Sequence, residues 1–175
     1  ELRMSRDFVT ELWLEPEVEA NPRAVEALNS GDLIIVCPGS IHGSLLTNFL
    51  AKGISKAFAE SKAKKVLMVN IMATGNEGKI NNQNDYLNLF TKSIKSSFDL
   101  ILMADLNRLV VEKLNRVLEY YEMENSSRIE YVSKANCKCE VADIATIDEV
   151  NWRLRHSKDK LAKYFVKMDL CHRRY

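Results

Sequence analysis

The residues best placed to do chemistry sit where an apolar run stops. Leu33-Ile34-Ile35-Val36-Cys37-Pro38 gives way to Gly39-Ser40-Ile41-His42-Gly43-Ser44, and a helical pattern follows. Small residues at such a junction let the backbone approach a ligand, and the first N–H groups of a helix lack partners within it. A phosphate-bearing ligand would then be held largely by main-chain amides. The motif is neither a Walker A loop, which closes on Gly-Lys-Ser/Thr, nor the Gly-x-Gly-x-x-Gly dinucleotide fingerprint. A tight turn with Ser44 capping the helix accounts for the same residues without a ligand. His42 has two readings, a general base or phosphate donor and an ordinary surface residue. The order Gly39-Ser40-x-His42-Gly43 is not the Gly-x-Ser-x-Gly of a nucleophile elbow, which argues against a serine hydrolase.

Other candidates are weaker. Asp85 opens a helix after an asparagine-rich loop, where it either complements the helix dipole or offers a carboxylate to Mg²⁺ or a sugar hydroxyl. Arg153, Arg155 and His156 precede the last helix, a place the dipole does not favour for cations, so an anionic partner and a solvated loop both fit. Cys137-x-Cys139 with Cys171-His172 has the wrong spacing for a zinc site. Cys37 ends an apolar strand and reads as a small core residue.

Alternating strands and helices must position these groups. Strands are expected at residues 9–14, 33–37, 66–71, 100–103 and 141–145, with a sixth candidate at 129–132. Asn21-Pro22 starts a helix, and Leu46, Phe49, Leu50, Ile54, Ala57 and Phe58 line one long helix ending near Lys62. Further stripes run from Tyr86 to Ile94, from Leu106 to Tyr121, and from Leu161 to Met168 behind a Ser157 cap. This order predicts one α/β domain over 1–175, with a mostly parallel sheet covered by helices on both faces. Ligands of such sheets sit beyond the carboxyl ends of the strands, which singles out the loops after Cys37, Ile71 and Met103. The stretch from Met72 to Asn84 is longer than a simple connection requires, as functional loops and floppy loops both are.

Composition excludes several classes. The 175 residues hold 25 Lys and Arg against 24 Asp and Glu, so no field draws the chain to nucleic acid or a membrane surface. No apolar stretch approaches the ~20 residues of a membrane helix, and no secretory signal opens the sequence. Four cysteines at irregular spacing make no disulfide framework. A cytoplasmic protein is expected.

The segment from Leu33 to Leu45, running on through Asn48 to Gly53-Ile54, resembles the Gly-Pro-Gly-Ser-Leu-Tyr-Thr-Ser-Ile motif of one family. That family holds the YvcK-type gluconeogenesis factors and the CofD-type 2-phospho-L-lactate transferases. Leu14-Glu15-Pro16 and the helix from Pro22 to Leu28 are similar to the segment before the motif. Lys65-Val66 with Asn70-Ile71-Met72 resembles a Lys-Val-x-x-x-Asn-x-Met stretch. Glu77 and Asp85 match the Pro-Gly-Glu-Thr…Ser-Asp-His loop, Tyr121-x-x-Glu124 a Tyr-x-x-Glu-Gly element, and Arg155-His156 a terminal Arg-His-Asp. The likeness covers most of residues 12–168 and is nearer to the YvcK-type branch. Departures include His42-Gly43 for Tyr-Thr, Thr47 for proline, Tyr86 for histidine and Ser157 for aspartate. The family's opening Gly-Gly-Gly-Thr-Gly segment has no match, so the chain looks like the C-terminal part of a longer relative.

The resemblance implies a Rossmann-like, three-layer α/β/α fold with a cleft for a nucleotide-type small molecule. In the YvcK-type branch this is UDP-N-acetylglucosamine and related UDP-sugars, bound by regulators of carbon metabolism and cell-envelope precursor supply. In the transferase branch a deazaflavin precursor accepts a phospholactyl group, with Mg²⁺. Carried onto this chain, Gly39, Ser40, His42, Gly43, Ser44 and Asn48 would surround phosphate or sugar oxygens. Asn70, Met72 and Asp85 would contact the ligand, Tyr121 would stack on the uracil, and Arg155 would neutralise the diphosphate. A non-binding assembly module, forming a homo-oligomer through the last helix, Trp13 and Trp152, is a further alternative.

Overall fold

The computed structural model describes residues 9–74, 80–124, 126–134 and 137–168. Four strands form the main sheet: β1 (Leu33–Val36), β2 (Lys64–Met68), β4 (Leu100–Ala104) and β6 (Cys139–Ala142), all parallel and side by side in that order. Two small antiparallel pairs flank it. β3 (Met72–Thr74) pairs with β5 (Ser126–Arg128), and β7 (Ala145–Asp148) with β8 (Arg153–His156).

The pleat sends alternate side chains to opposite faces, and both faces are buried. Leu67, Ile101 and Met103 join Phe58, Phe90, Ile94 and Phe98 beneath helices α2 (Ile54–Glu60) and α3 (Gln83–Ile94). Val66, Met68, Leu100 and Leu102 face the other way, against Ile144 and Leu161, Tyr164 and Phe165 of α5 (Lys158–Lys167). Helix α1 (Pro22–Ser30) adds Leu28 to the first layer. A third cluster, around Leu106, Val117, Ala145 and Leu154, seats α4 (Val111–Met123) against the β7–β8 hairpin. The expected three-layer α/β arrangement with a parallel sheet is present.

Several expected elements differ. Residues 9–14 form no strand: they lack a ladder partner, and Leu12 alone docks on the core while Trp13 is 69% exposed. The long helix expected after the glycine turn is broken. A π-helical turn (Ile41–Leu45) leads to a 3-10 turn (Leu46–Phe49), and α2 starts only after Gly53, whose φ of 101° reverses the chain. The strand expected at 141–145 splits at a corner, because buried Ile144 turns into the α5 layer and releases β7 from the sheet. Arg153, Arg155 and His156 lie on strand β8, not in a loop. Cys37 is exposed rather than a core residue, since it lies one residue beyond the end of β1. Glu77, Cys171 and His172 fall outside the described residues.

Gly53→Ala tests the reversal before α2. An added Cβ would come no nearer than 3.7 Å to Ala20, so the cost is one of backbone conformation. Urea denaturation is expected to record a loss of about 1–2 kcal/mol.

Candidate functional site

At the carboxyl edge, Asn70 ties two strand ends together. It follows β2 by two residues, and its Oδ1 accepts from the Gly39 amide at 3.0 Å while its Nδ2 donates to the Gly39 carbonyl at 2.9 Å. The glycine turn is therefore clamped to the neighbouring strand through both of its main-chain groups. Glycine is needed at 39 for space, because a Cβ there would meet Ser44 Oγ at 3.0 Å.

The turn uses its own donors. Ser40 Oγ accepts from the Gly43 amide, Ser40 O accepts from the amides of Ser44 and Leu45, and Ser44 Oγ donates to Ser40 O. Asn48 donates from Nδ2 to Ser44 O. The expected phosphate cradle is corrected accordingly: the amides of Gly39, Gly43 and Ser44 are already bonded within the protein. His42 is half-buried in the π-helical turn, beside exposed Gly43 and Ser44.

A cavity of about 440 Å³ opens beyond β2 and β4. Asn70, Asp105 and Asn107 line it from the strand ends, and Arg128, Glu130 and Tyr131 from the chain leaving β5. Asp105 caps the 3-10 turn Leu106–Arg108, its carboxylate accepting from the Asn107 amide at 3.0 Å and Arg108 Nε at 3.2 Å. Arg128 Nε lies 3.4 Å from Glu130 Oε1, with both side chains substantially exposed. Among the described residues, the lining has a guanidinium, carboxylates, amides and a phenol, and no serine, cysteine, histidine or lysine. A guanidinium beside amides and a phenol can bind a polar, anionic molecule.

Of the residues nominated from sequence, Asn70 lines this cavity. The others lie elsewhere. Met72, on β3 opposite Arg128, packs into the cluster around Leu106 and Val117. Asp85 caps its own helix: it accepts from the amides of Asn81 and Asn82 while Asn82 caps in return, a capping box. Tyr121 packs on α4, with the Arg153 guanidinium 5.6 Å from its ring centroid and 4.0 Å from that of Tyr120. Arg155 is exposed on β8, opposite Thr146. Sequence reasoning missed Asp105, Asn107, Arg128 and Tyr131. The rule that ligands gather past strand ends does reach Asp105 and Asn107, since both follow Met103. Arg128 ends β5 and Tyr131 lies in the chain after it; the sixth strand expected at 129–132 forms instead at Ser126–Arg128.

The thiols of Cys137 and Cys139 are half-buried against the core, and burial pushes the Cys139 thiol up to about 11. Among the described residues, no three His, Cys, Asp or Glu side chains gather as a metal site would require.

The chain belongs to the CofD family: the profile described as 2-phospho-L-lactate transferase CofD matches residues 2–148. A Thermotoga maritima relative is 28% identical over 159 residues, covering 88% of this chain and 49% of its own. The gluconeogenesis factor of Listeria innocua is 28% identical over 163 residues, covering 91% of this chain and 48% of its own. The chain thus spans about half the length of these curated relatives. A Bacillus halodurans protein of the UPF0052 family shares the fold at a TM-score of 0.81 and 20% identity, over 95% of this chain and 53% of that one.

Two expectations follow from this geometry. Asn70→Ala removes both bonds to Gly39 and is expected to lower stability by roughly 1–3 kcal/mol in chemical denaturation. His156, the last residue of β8, is mostly buried with its Nε2 unpaired, and that burial lowers its imidazole from 6.5 to about 4. Its folded value lies below the unfolded one, so between them the unfolded chain binds more protons. The contribution of His156 therefore holds above pH 6.5 and is lost as pH falls toward 4. Denaturation midpoints across that window should fall more steeply for the wild type than for His156→Gln.

Proposed function

We propose that this chain is a ligand-binding regulator of the gluconeogenesis-factor type. It takes a nucleotide-sugar such as UDP-N-acetylglucosamine at the carboxyl edge of its sheet, in the cytoplasm, and adjusts carbon flow toward cell-envelope precursors. The observation that carries this reading is the polar cavity beyond β2 and β4, at the edge where open parallel sheets take their ligands. Arg128 offers a planar fork to a diphosphate. Its contact with Glu130 is substantially exposed, and such pairs contribute about 0–1 kcal/mol, so an entering anion displaces it at small cost. Asp105 and Asn107 are suited to sugar hydroxyls, and Tyr131 to the face of a base. The turn Gly39–Ser44 acts from behind the cavity, by fixing Asn70. Tyr121 and Arg155 enter this reading through the resemblance alone.

A CofD-type transfer of a phospholactyl group to a deazaflavin precursor is the second reading, favoured by the description of the matching family. That reaction calls for Mg²⁺. Among the described residues no group of three His, Cys, Asp or Glu gathers, and Asp85 is engaged by two backbone amides, so Asp105 and Glu130 of the cavity lining are the carboxylates that would hold it together with substrate phosphates.

Isothermal titration calorimetry decides between them. UDP-N-acetylglucosamine should bind the chain, and Arg128→Ala should weaken binding about tenfold or more, the loss of a charged hydrogen bond. No heat at millimolar ligand would remove the regulator reading. Product formed on mixing a guanylyl phospholactate donor, the deazaflavin precursor and Mg²⁺ would establish the transferase.

A further inference from the structure

Gln83, the first residue of α3, has 0% of its surface exposed. Burying a carboxamide costs free energy unless its groups are bonded, and methionine or leucine would fill similar space without that cost. What the amide adds is direction. Its Nε2 donates to Val132 O at 2.6 Å, and its Oε1 accepts from the Val132 amide at 2.9 Å. The side chain thereby takes the place of a backbone peptide opposite Val132, which belongs to no strand. Asn70 holds Gly39 by the same device, one carboxamide bonded to both main-chain groups of one residue.

Beside Val132 stands Tyr131, which lines the cavity and is 48% exposed. Packing on that side chain is slight, so the place of its ring is set by the main chain that carries it. That main chain is held on both sides of Tyr131. Before it, the Glu130 amide donates to Asn81 O at 2.7 Å. After it, Gln83 grips Val132, and Asn84 Nδ2 donates to Lys134 O at 2.7 Å. The capping box of Asn82 and Asp85 fixes the helical turn from which Gln83 and Asn84 project. The start of α3 is thus a frame for the cavity wall that leaves β5.

We propose that Gln83 is the positioning residue for Tyr131, and that through this ring it sets the preference of the cavity for ligands carrying a planar base. A ring already held in place offers its face without the cost of ordering it when the ligand arrives. Gln83 touches no ligand itself; it acts through Val132 on the neighbouring ring. The choice of ligand rests on the nucleotide-sugar reading above, whereas the clamp rests on the two bonds to Val132.

Backbone nitrogen relaxation on the ligand-free chain reads the clamp. Tyr131 and Val132 should have order parameters of about 0.85 in the wild type and below about 0.6 in Gln83→Met, with β2 and β4 unchanged. Gln83→Leu repeats the test with a second apolar side chain. Calorimetry with UDP-N-acetylglucosamine then reads the effect on binding. Gln83→Met and Tyr131→Leu should each weaken it about tenfold, the loss of a stacked base. The double variant should also lose only about tenfold, because one residue acts through the other. A general loosening of the fold would instead multiply the two losses to about 100-fold, and that result overturns the positioning role. The role also fails if either single variant binds like the wild type. A mobile Tyr131 in the wild type, or a rigid one in both Gln83 variants, overturns the clamp itself. No heat with the wild type removes the nucleotide-sugar reading and the base preference with it, while the relaxation data still decide whether Gln83 holds Tyr131.

Discussion

Val66, Leu67, Met68, Leu100, Ile101 and Leu102 have at most 2% of their surface exposed, and they alternate between two separate apolar layers. This sealing of β2 and β4 from both sides is the constraint on which the remaining structure depends. A strand buried on both faces has no surface along its length to offer a ligand, so specific chemistry is confined to its ends. At the carboxyl ends the chain departs from regular structure, with Asn70 after β2 and Asp105 after β4. Polar side chains and a cavity then occur together there because the core excludes them everywhere else along these strands.

Asn70 links that constraint to the glycine turn. A carboxamide that both accepts from and donates to one residue fixes position and direction together, and here it fixes Gly39. The turn cannot shift without moving Asn70, and Asn70 is part of the cavity wall. Sequence features that resemble a ligand-contacting loop thus act partly as a support, with Ser40 and Ser44 bonding inside the turn. Asp85 is comparable: its carboxylate holds the start of α3 and thereby the packing of Tyr86 and Phe90, both 0% exposed.

The periphery contrasts with this centre. Arg153 lies over the rings of Tyr120 and Tyr121 and donates to the Tyr120 hydroxyl at 2.8 Å, while Arg116 stacks on Trp152 at 3.6 Å. These cation–π contacts join the β7–β8 hairpin to α4, in a region with less buried apolar area than the central strands. Arg153, one of the cationic residues before the last helix, accordingly has structural partners of its own. A positive charge in sequence is a weak guide to an anionic ligand when aromatic side chains lie within reach.

Local pattern determined the alternation of strands and helices, the caps at Asn21 and Ser157, and the membership of a family whose motifs run through Leu33 to Leu45, because these depend on residues near one another in the chain. It also placed a loop of interest after Met103, where Asp105 and Asn107 lie. Tertiary structure decided which donors remained for a ligand. Whether the Gly39 amide is open depends on Asn70, 31 residues away, and whether Arg128 reaches the cavity depends on an antiparallel pair formed with Met72. It also decided that residues 9–14 make no strand and that Cys37 is exposed, since a ladder partner and a covering layer are supplied by distant chain. Periodicity reports which face of an element is apolar; hydrogen-bond partners and cavities arise between elements, and no local pattern encodes them.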